Sequence, residues 1–384
     1  MAHVDGSRFE SQVYAGRLAR AAELTAAAGL DAIVVGTGPD LRYLTGMEAD
    51  TFERFTALIV PASGRPHLVT PRLELASVRA SAIGDLGVPV RDWVDGADPY
   101  ALALADLGAD PALAVSDALP ALHVIPLADR TGVPVRLATP VLRELRMIKD
   151  AAELDALRAA GAAIDRVHAR MAQWLRPGRT ETDVAADLAA ALVEEGHTRA
   201  EFVIVGSGPN GADPHHEHSD RVIEPHDVVV IDIGGPVGAG YNSDSTRTYC
   251  FGPPEPEVAA AYDALERAQA AAVAAVRPGA TAESVDAAAR LVLAEAGLAE
   301  HFIHRTGHGI GLSVHEEPYI VEGNTEPLRP GMAFSVEPGV YFPGSWGARI
   351  EDIVVLTDDG AEPVNTRPHG LTVLPASRPA DVEQ

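Results

Sequence analysis

The chain has 384 residues, 47% of them hydrophobic, and a formal charge of −25. That length and apolar content allow two globular domains with sizeable cores, while so acidic a surface excludes holding a nucleic-acid backbone or an anionic membrane. A single cysteine, Cys250, excludes an intramolecular disulfide and reads as a small buried hydrophobe.

The opening MAHVDGSRFE lacks the charged and apolar regions of a leader, and no apolar run reaches the roughly 18 residues of a membrane span. A cytoplasmic protein is expected. Lys149 is the only lysine and alanine is abundant, a coding bias rather than a functional signal. From Ser11 to Leu30 apolar positions recur at helical spacing, and Ala32 to Gly36 then reads as a buried strand. Strands follow at Phe55 to Val60 and His67 to Thr70, joined by a turn at Pro61 to Gly64. This alternation predicts an α/β domain over residues 1–145 and a second domain over 146–384. The second opens with one long helical pattern, Asp150 to Trp174, stopped at Pro177-Gly178.

An internal repeat follows. Arg176-Pro177-Gly178-Arg179-Thr180 leads a helix ending at Gly196, and 101 residues later Arg277-Pro278-Gly279-Ala280-Thr281 leads another ending at Gly297. In both, a Pro-Gly turn and a threonine N-cap start the helix and a glycine stops it.

Five potential metal ligands, Asp232, Asp244, His308, Glu337 and Glu351, fall in order through this second part. Asp232 ends the run Val228 to Ile231 and Glu351 precedes the run Ile353 to Leu356; a carboxylate buried there costs several kcal/mol unless paired or coordinated. Two divalent cations would balance four carboxylates. Asp232 and Asp244 bracket one Gly-rich hairpin, Glu337 and Glu351 another, and a shift by the repeat carries the first pair near the second. The expectation is two βαβ-like halves facing each other across a pseudo-twofold axis, with the metals between them.

Alternation along a strand puts Asp244, Thr246, Thr248 and Cys250 on one face, and Arg349 with Glu351 on another. Arg349 is therefore expected to brace its neighbour Glu351, the alternative being a surface strand arginine. Carboxylate-rich ligation with one imidazole suits Mn²⁺ and permits Co²⁺, Fe²⁺ or Zn²⁺. Two such ions about 3.5 to 4 Å apart can share a bridging hydroxide that attacks an amide carbonyl they polarise. A nearby carboxylate can then act as general base, and a histidine can stabilise the oxyanion or protonate the leaving nitrogen.

Histidines are plentiful. His304, His308 and His315 surround Gly307-His308-Gly309-Ile310-Gly311, whose glycines allow close backbone approach. His304 and His315 could equally be structural. His315-Glu316-Glu317-Pro318-Tyr319 fails as a zinc HExxH helix, since position 319 is Tyr and Pro318 opposes a helix. His215-His216-Glu217-His218 could be a surface metal trap. Gly206 to Gly211 matches GxGxxG, but Pro209 and Pro214 deny it the helix a dinucleotide loop must open.

With these motifs, the sequence resembles the pita-bread metallopeptidases, in the branch of Xaa-Pro aminopeptidase and Xaa-Pro dipeptidase (prolidase). The resemblance rests on Asp232-Ile233-Gly234, Tyr241 to Thr248, Gly307 to Gly311, Val336-Glu337-Pro338-Gly339 and Arg349-Ile350-Glu351-Asp352. It implies an α/β fold with a creatinase-type N-terminal domain, carrying Asp40 to Gly46, that covers the cleft and joins a homodimer. It further implies Glu337 as general base, His215 and His315 in contact with substrate and transition state, and His304 and Arg349 lining the pocket for proline or the terminal carboxylate. The first Asp pair is one residue wider than in many relatives, an insertion in the hairpin outside the ligands. The expected activity is hydrolysis of Xaa-Pro bonds in dipeptides or at the N-terminus of short peptides. Alternatives are a dipeptidase without strict proline requirement, an amidinohydrolase, or a non-catalytic binding protein of this fold. The last two would be expected to lack the five ligands.

Overall fold

The computed structural model describes residues 8–49 and 53–376, which form two compact units, Met1–Arg146 and Met147–Gln384. The first unit is a six-stranded sheet, β1 (Ala32–Gly36), β2 (Ala57–Pro61), β3 (His67–Pro71), β4 (Val90–Trp93), β5 (Leu113–Val115) and β6 (Arg136–Leu137), in the order β4-β3-β2-β1-β5-β6. Pro61 belongs to β2, opposite Ala32, so the turn starts later than the sequence suggests. β1, β2 and β3 are buried along their whole length. Helix Ser11–Ala27 packs on β1 and β2 and buries Tyr14, Leu18 and Ala21 on one stripe.

The second unit carries the repeat. Its first helix, Ala151–Ala169, opens with a capping box in which Asp150 and Glu153 accept from each other's backbone N–H. It ends earlier than expected: Met171–Gln173 tighten into a 3₁₀ turn, and both Met171 and Leu175 are buried. Helix Glu181–Glu194 starts at the Thr180 N-cap and helix Ala282–Glu295 at Thr281. Burial follows the repeat position by position. Leu157, Ala160, Ile164, Val167, Met171 and Leu175 recur 101 residues later as Val258, Ala261, Leu265, Ala268, Ala272 and Val276, all buried.

After each helix pair comes an antiparallel meander. The first is β7 (Phe202–Ser207), β8 (Val228–Val237) and β9 (Tyr241–Phe251). The second unites β10 (Gly307–Gly309) with β12 (Ala333–Val336) and β15 (Asp352–Thr357). β11 (Glu316–Ile320) and β16 (Gly360–Pro363) extend it, and β13 (Gly339–Phe342) and β14 (Trp346–Arg349) form a hairpin between β12 and β15. β17 (Thr372–Leu374) returns parallel to β9. The halves are thus helix-helix-meander units, in which the strands β7 to β9 and β10 to β16 pair antiparallel where the expected βαβ crossovers would have made parallel pairs, and short turns close β8–β9, β13–β14 and β15–β16 into hairpins. Each meander turns one face to its helices, Val229, Ile231 and Ile233 of β8 in one core, Phe334, Val336 and Val354 in the other. Alternation leaves Asp232 on the opposite face of β8.

Candidate metal centre

In the β8–β9 pairing Asp232 lies opposite Thr246 and Gly234 opposite Asp244. Facing residues of an antiparallel pair share a side, and so do residues two apart. Asp232, Asp244, Thr246 and Thr248 therefore emerge together. From the other half, His308 is displayed by the middle of β10. A Cβ at Gly307 would come within 1.9 Å of Ser335 O, and one at Gly309 within 2.2 Å of Glu317 O, so only glycines let β10 lie that close. His308 Nδ1 donates to Gly309 O at 3.1 Å, and this leaves Nε2 aimed at the acids, 3.1 Å from Glu337 Oε1 and 3.7 Å from Asp244 Oδ2.

Glu337 follows β12, and Glu351 occupies the break between β14 and β15. Ser335 ties the first in place, accepting from His308 N and donating to Glu337 Oε1, each at 3.0 Å. Thr246 ties the second, donating to Glu351 Oε2 at 2.7 Å. The Thr246–Glu351 bridge also joins the two meanders.

The four carboxylates outnumber the groups paired with them, Arg349 on Asp232 and His308 beside Glu337 and Asp244. Burial, then the charges of the neighbouring carboxylates, drives Asp244 and Glu351 well above the usual carboxylate range. Asp232 is raised as well, by burial first, with Arg349 opposing and Glu337 adding to it. Glu337 is held low: burial alone would raise it, and the His308 hydrogen bond and charge outweigh that. Asp232 Oδ1 and Glu351 Oε1 are buried without any hydrogen-bond partner. Donor atoms of Asp244, His308 and Glu351 lie within 4.8 Å of one another. Unpartnered buried oxygens beside an imidazole are what divalent cations coordinate, so the donor set fits metal.

The five donors line a cleft of about 700 Å³ together with His215, His304, His315 and Arg349. The His315 ring stands edge-on to His308, centroids 4.1 Å apart, and burial followed by the charges of His308 and Arg305 pushes it down to about 4. His304 Nδ1 donates to Arg305 O at 2.7 Å, so its Nε2 accepts from the Tyr341 hydroxyl at 2.9 Å. Burial keeps this ring neutral by lowering its pKa. Tyr341 in turn accepts from Arg349 Nη1 at 2.8 Å.

Arg349 braces a different acid from the one spacing suggests. Its Nη2 donates to Asp232 Oδ2 at 2.6 Å, and it reaches Glu351 through Thr246, whose Oγ1 accepts from Nε at 3.1 Å. The period-two argument fails because β14 ends at Arg349 and Glu351 stands outside both strands. A surface arginine is also ruled out, since Arg349 is 3% exposed.

The histidine cluster does not converge. His215 lines the cleft, His216 Nε2 bonds to buried Glu181 at 2.8 Å, and His218 Nδ1 approaches Thr182 at 3.4 Å. Gly208–Ala212 form a 3₁₀ turn rather than a helix, so the GxGxxG match has no dinucleotide context. Glu316–Ile320 is a strand, not a zinc-binding helix. Thr246, Ser335 and Tyr341 are the residues the sequence reading overlooked. Alternation had already put Thr246 on the ligand face; nothing local marks the other two.

Similarity to known proteins agrees with this geometry. Residues 155–358 match metallopeptidase family M24 and residues 17–148 the Creatinase/Prolidase N-terminal domain. A probable dipeptidase, PepE, of Mycobacterium tuberculosis is 64% identical over 371 residues, covering 96% of this chain and 99% of the relative. The Xaa-Pro dipeptidase of Lactobacillus delbrueckii subsp. lactis is 35% identical over 362 residues, covering 90% and 96%. The crystal structure of dipeptidase PepE from Mycobacterium ulcerans superimposes with a TM-score of 0.93 at 66% identity, covering 96% of this chain and all of that one. Among the described residues no helix is long and apolar enough to cross a membrane.

Proposed function

The chain belongs to metallopeptidase family M24 and is a metallo-exopeptidase with a creatinase-type N-terminal domain and a pita-bread catalytic domain, and from that premise we propose that it hydrolyses Xaa-Pro bonds in dipeptides or at the N-terminus of short peptides with two divalent cations. The observation that carries the reading is the convergence of Asp232, Asp244, His308, Glu337 and Glu351 in one buried cleft with two carboxylate oxygens left without partners. Those five would hold the ions, and the donor set suits Mn²⁺, with Co²⁺, Zn²⁺ or Fe²⁺ also compatible. Bound there, the cations would make water nucleophilic at neutral pH and polarise the scissile carbonyl.

The chain's own groups do the rest. Glu337 accepts the proton of the attacking water. His315, neutral at physiological pH because its pKa is down at about 4, offers an N–H to the developing oxyanion. A proline nitrogen is part of a tertiary amide and must be protonated to leave, a step for which His215, in the lining of the same cleft, is the donor. His304, Tyr341 and Arg349 form a hydrogen-bonded wall that fixes Asp232. Short proline-containing peptides are the partners on this reading, and the resemblance favours a cytoplasmic homodimer. A dipeptidase indifferent to proline is the second reading, favoured by the name of the mycobacterial relative.

Metal-stripped enzyme given back Mn²⁺, Co²⁺ or Zn²⁺ separates these with matched Ala-Pro, Ala-Pro-Ala and Ala-Ala. Cleavage of Ala-Pro alone means a prolidase, cleavage of the tripeptide before proline an aminopeptidase, and equal cleavage of Ala-Ala a general dipeptidase. Hydrolysis of none, with every metal, would remove the proposal.

A further inference from the structure

The family resemblance gives His304 and Arg349 the pocket for proline or the terminal carboxylate, and the bonding around both argues against the carboxylate. A guanidinium carries five N–H groups, and four of Arg349's are committed: Nε to Thr246, Nη1 to Tyr341 and to Pro214 O, Nη2 to Asp232. Its charge faces Asp232 at 2.6 Å. His304 spends both ring nitrogens on Arg305 O and Tyr341. Neither has a free charge for a second anion.

Arg305 does. It lines the same cleft, half-buried, with its guanidinium 4.6 Å from the centre of the Tyr319 ring. Of the two arginines in the cleft wall it is the one that, among the described residues, has no carboxylate at ion-pairing distance and no side-chain hydrogen bond. A free carboxylate that leaves water for a cleft wall needs a cation or hydrogen-bond donors to meet it. Arginine's planar fork suits a carboxylate bidentately, and stacking on Tyr319 fixes its plane while leaving the N–H edge open.

We propose that Arg305 is the receptor for the C-terminal carboxylate of a dipeptide, and that this contact makes the cleft selective for free-acid dipeptides over amides and longer chains. The proposal rests on the peptidase reading above. It deepens that reading by naming the substrate class: two residues ending in a free carboxylate.

The test compares Ala-Pro with Ala-Pro amide in the Mn²⁺-loaded full chain, in the parent and in Arg305→Met and Arg305→Lys. Methionine keeps the apolar stem against Tyr319, and lysine keeps the charge. The parent should prefer the acid by roughly 10- to 100-fold in kcat/KM, the range for one charge-assisted contact. Arg305→Met should abolish that preference through KM with kcat unchanged and amide cleavage unaffected, and Arg305→Lys should restore part of it. Calorimetric binding of proline against prolinamide reads the same preference without turnover. A parent that binds the acid selectively, loses this in Arg305→Met, yet cleaves nothing would leave the carboxylate receptor standing and sink the peptidase reading alone. Equal binding of acid and amide by the parent, binding of neither, or a preference that survives Arg305→Met overturns the assignment of Arg305.

Discussion

The two halves of the catalytic unit share a burial plan and present their cleft acids differently. Both pack a helix pair on an antiparallel meander, and their cores repeat residue by residue, Ile164 for Leu265 and Val184 for Val285. The first half carries its two acids inside long unbroken strands, Asp232 in β8 and Asp244 in β9. The second places Glu337 and Glu351 just outside its strands, at the ends of β12 and β14. Continuous strands fix a side chain by pleat alone, so the first half behaves as a rigid charge platform. Acids beside strand ends depend on neighbours, here Ser335 and Thr246, and can be aimed individually. A duplicated scaffold can thus keep its packing while its two copies present their acids differently, one from within strands and the other from beside their ends.

If the second half supplies the proton acceptor, Glu337→Gln should lower kcat by about 10³-fold, the range for losing a general base. Activity and bound metal measured on one sample decide it: full metal with normal kcat would show that Glu337 serves only as charge. Equivalence of the cores is probed by Ile164→Ala and Leu265→Ala. Each should cost about 2 to 5 kcal/mol in urea unfolding, and a wide gap between the two would mean the halves do not pack alike. The tie between halves is Thr246, and Thr246→Val should weaken metal affinity or activity by roughly 10- to 100-fold, as expected for a residue that orients ligands. Isotherms unchanged by that substitution would leave the bridge without consequence.

The smallest effect at neutral pH concerns His168. This buried ring bonds to Tyr249 and Ser245 O, and its counterpart 101 residues on is Gln269. Burial first, then the charge of Arg247, lowers its pKa to about 3. Below the ordinary value of about 6.5 the unfolded chain binds a proton that the folded chain refuses, so stability falls as pH drops from there toward 3, by up to about 1.4 kcal/mol per pH unit. His168→Gln copies the other half and should remove that part of the slope. Urea midpoints at pH 7.5 and 5.0, compared between parent and variant, would expose an equal slope in both.

The convergence of the acids was legible in the sequence because burying charge is costly: a carboxylate beside a valine run marks a buried acid that needs a partner, and helices that start and stop alike at a fixed offset announce a duplication. Strand direction was not, since Pro-Gly turns and threonine caps mark helix ends and say nothing about how strands pair. The partner of Arg349 was misjudged because alternation presumes an unbroken strand, and β14 stops at Arg349. Tyr341 became visible only once β13 and β14 had folded back to bring it between His304 and Arg349.

The central claim, a two-cation centre built half from each copy, is most directly tested by titrating metal-stripped protein with Mn²⁺ while following bound metal and peptide hydrolysis together. The account predicts that activity saturates at two ions per chain, and that Asp244→Asn from one half and Glu351→Gln from the other each reduce the bound count. Full activity without metal, or retention of two ions in both variants, would contradict it.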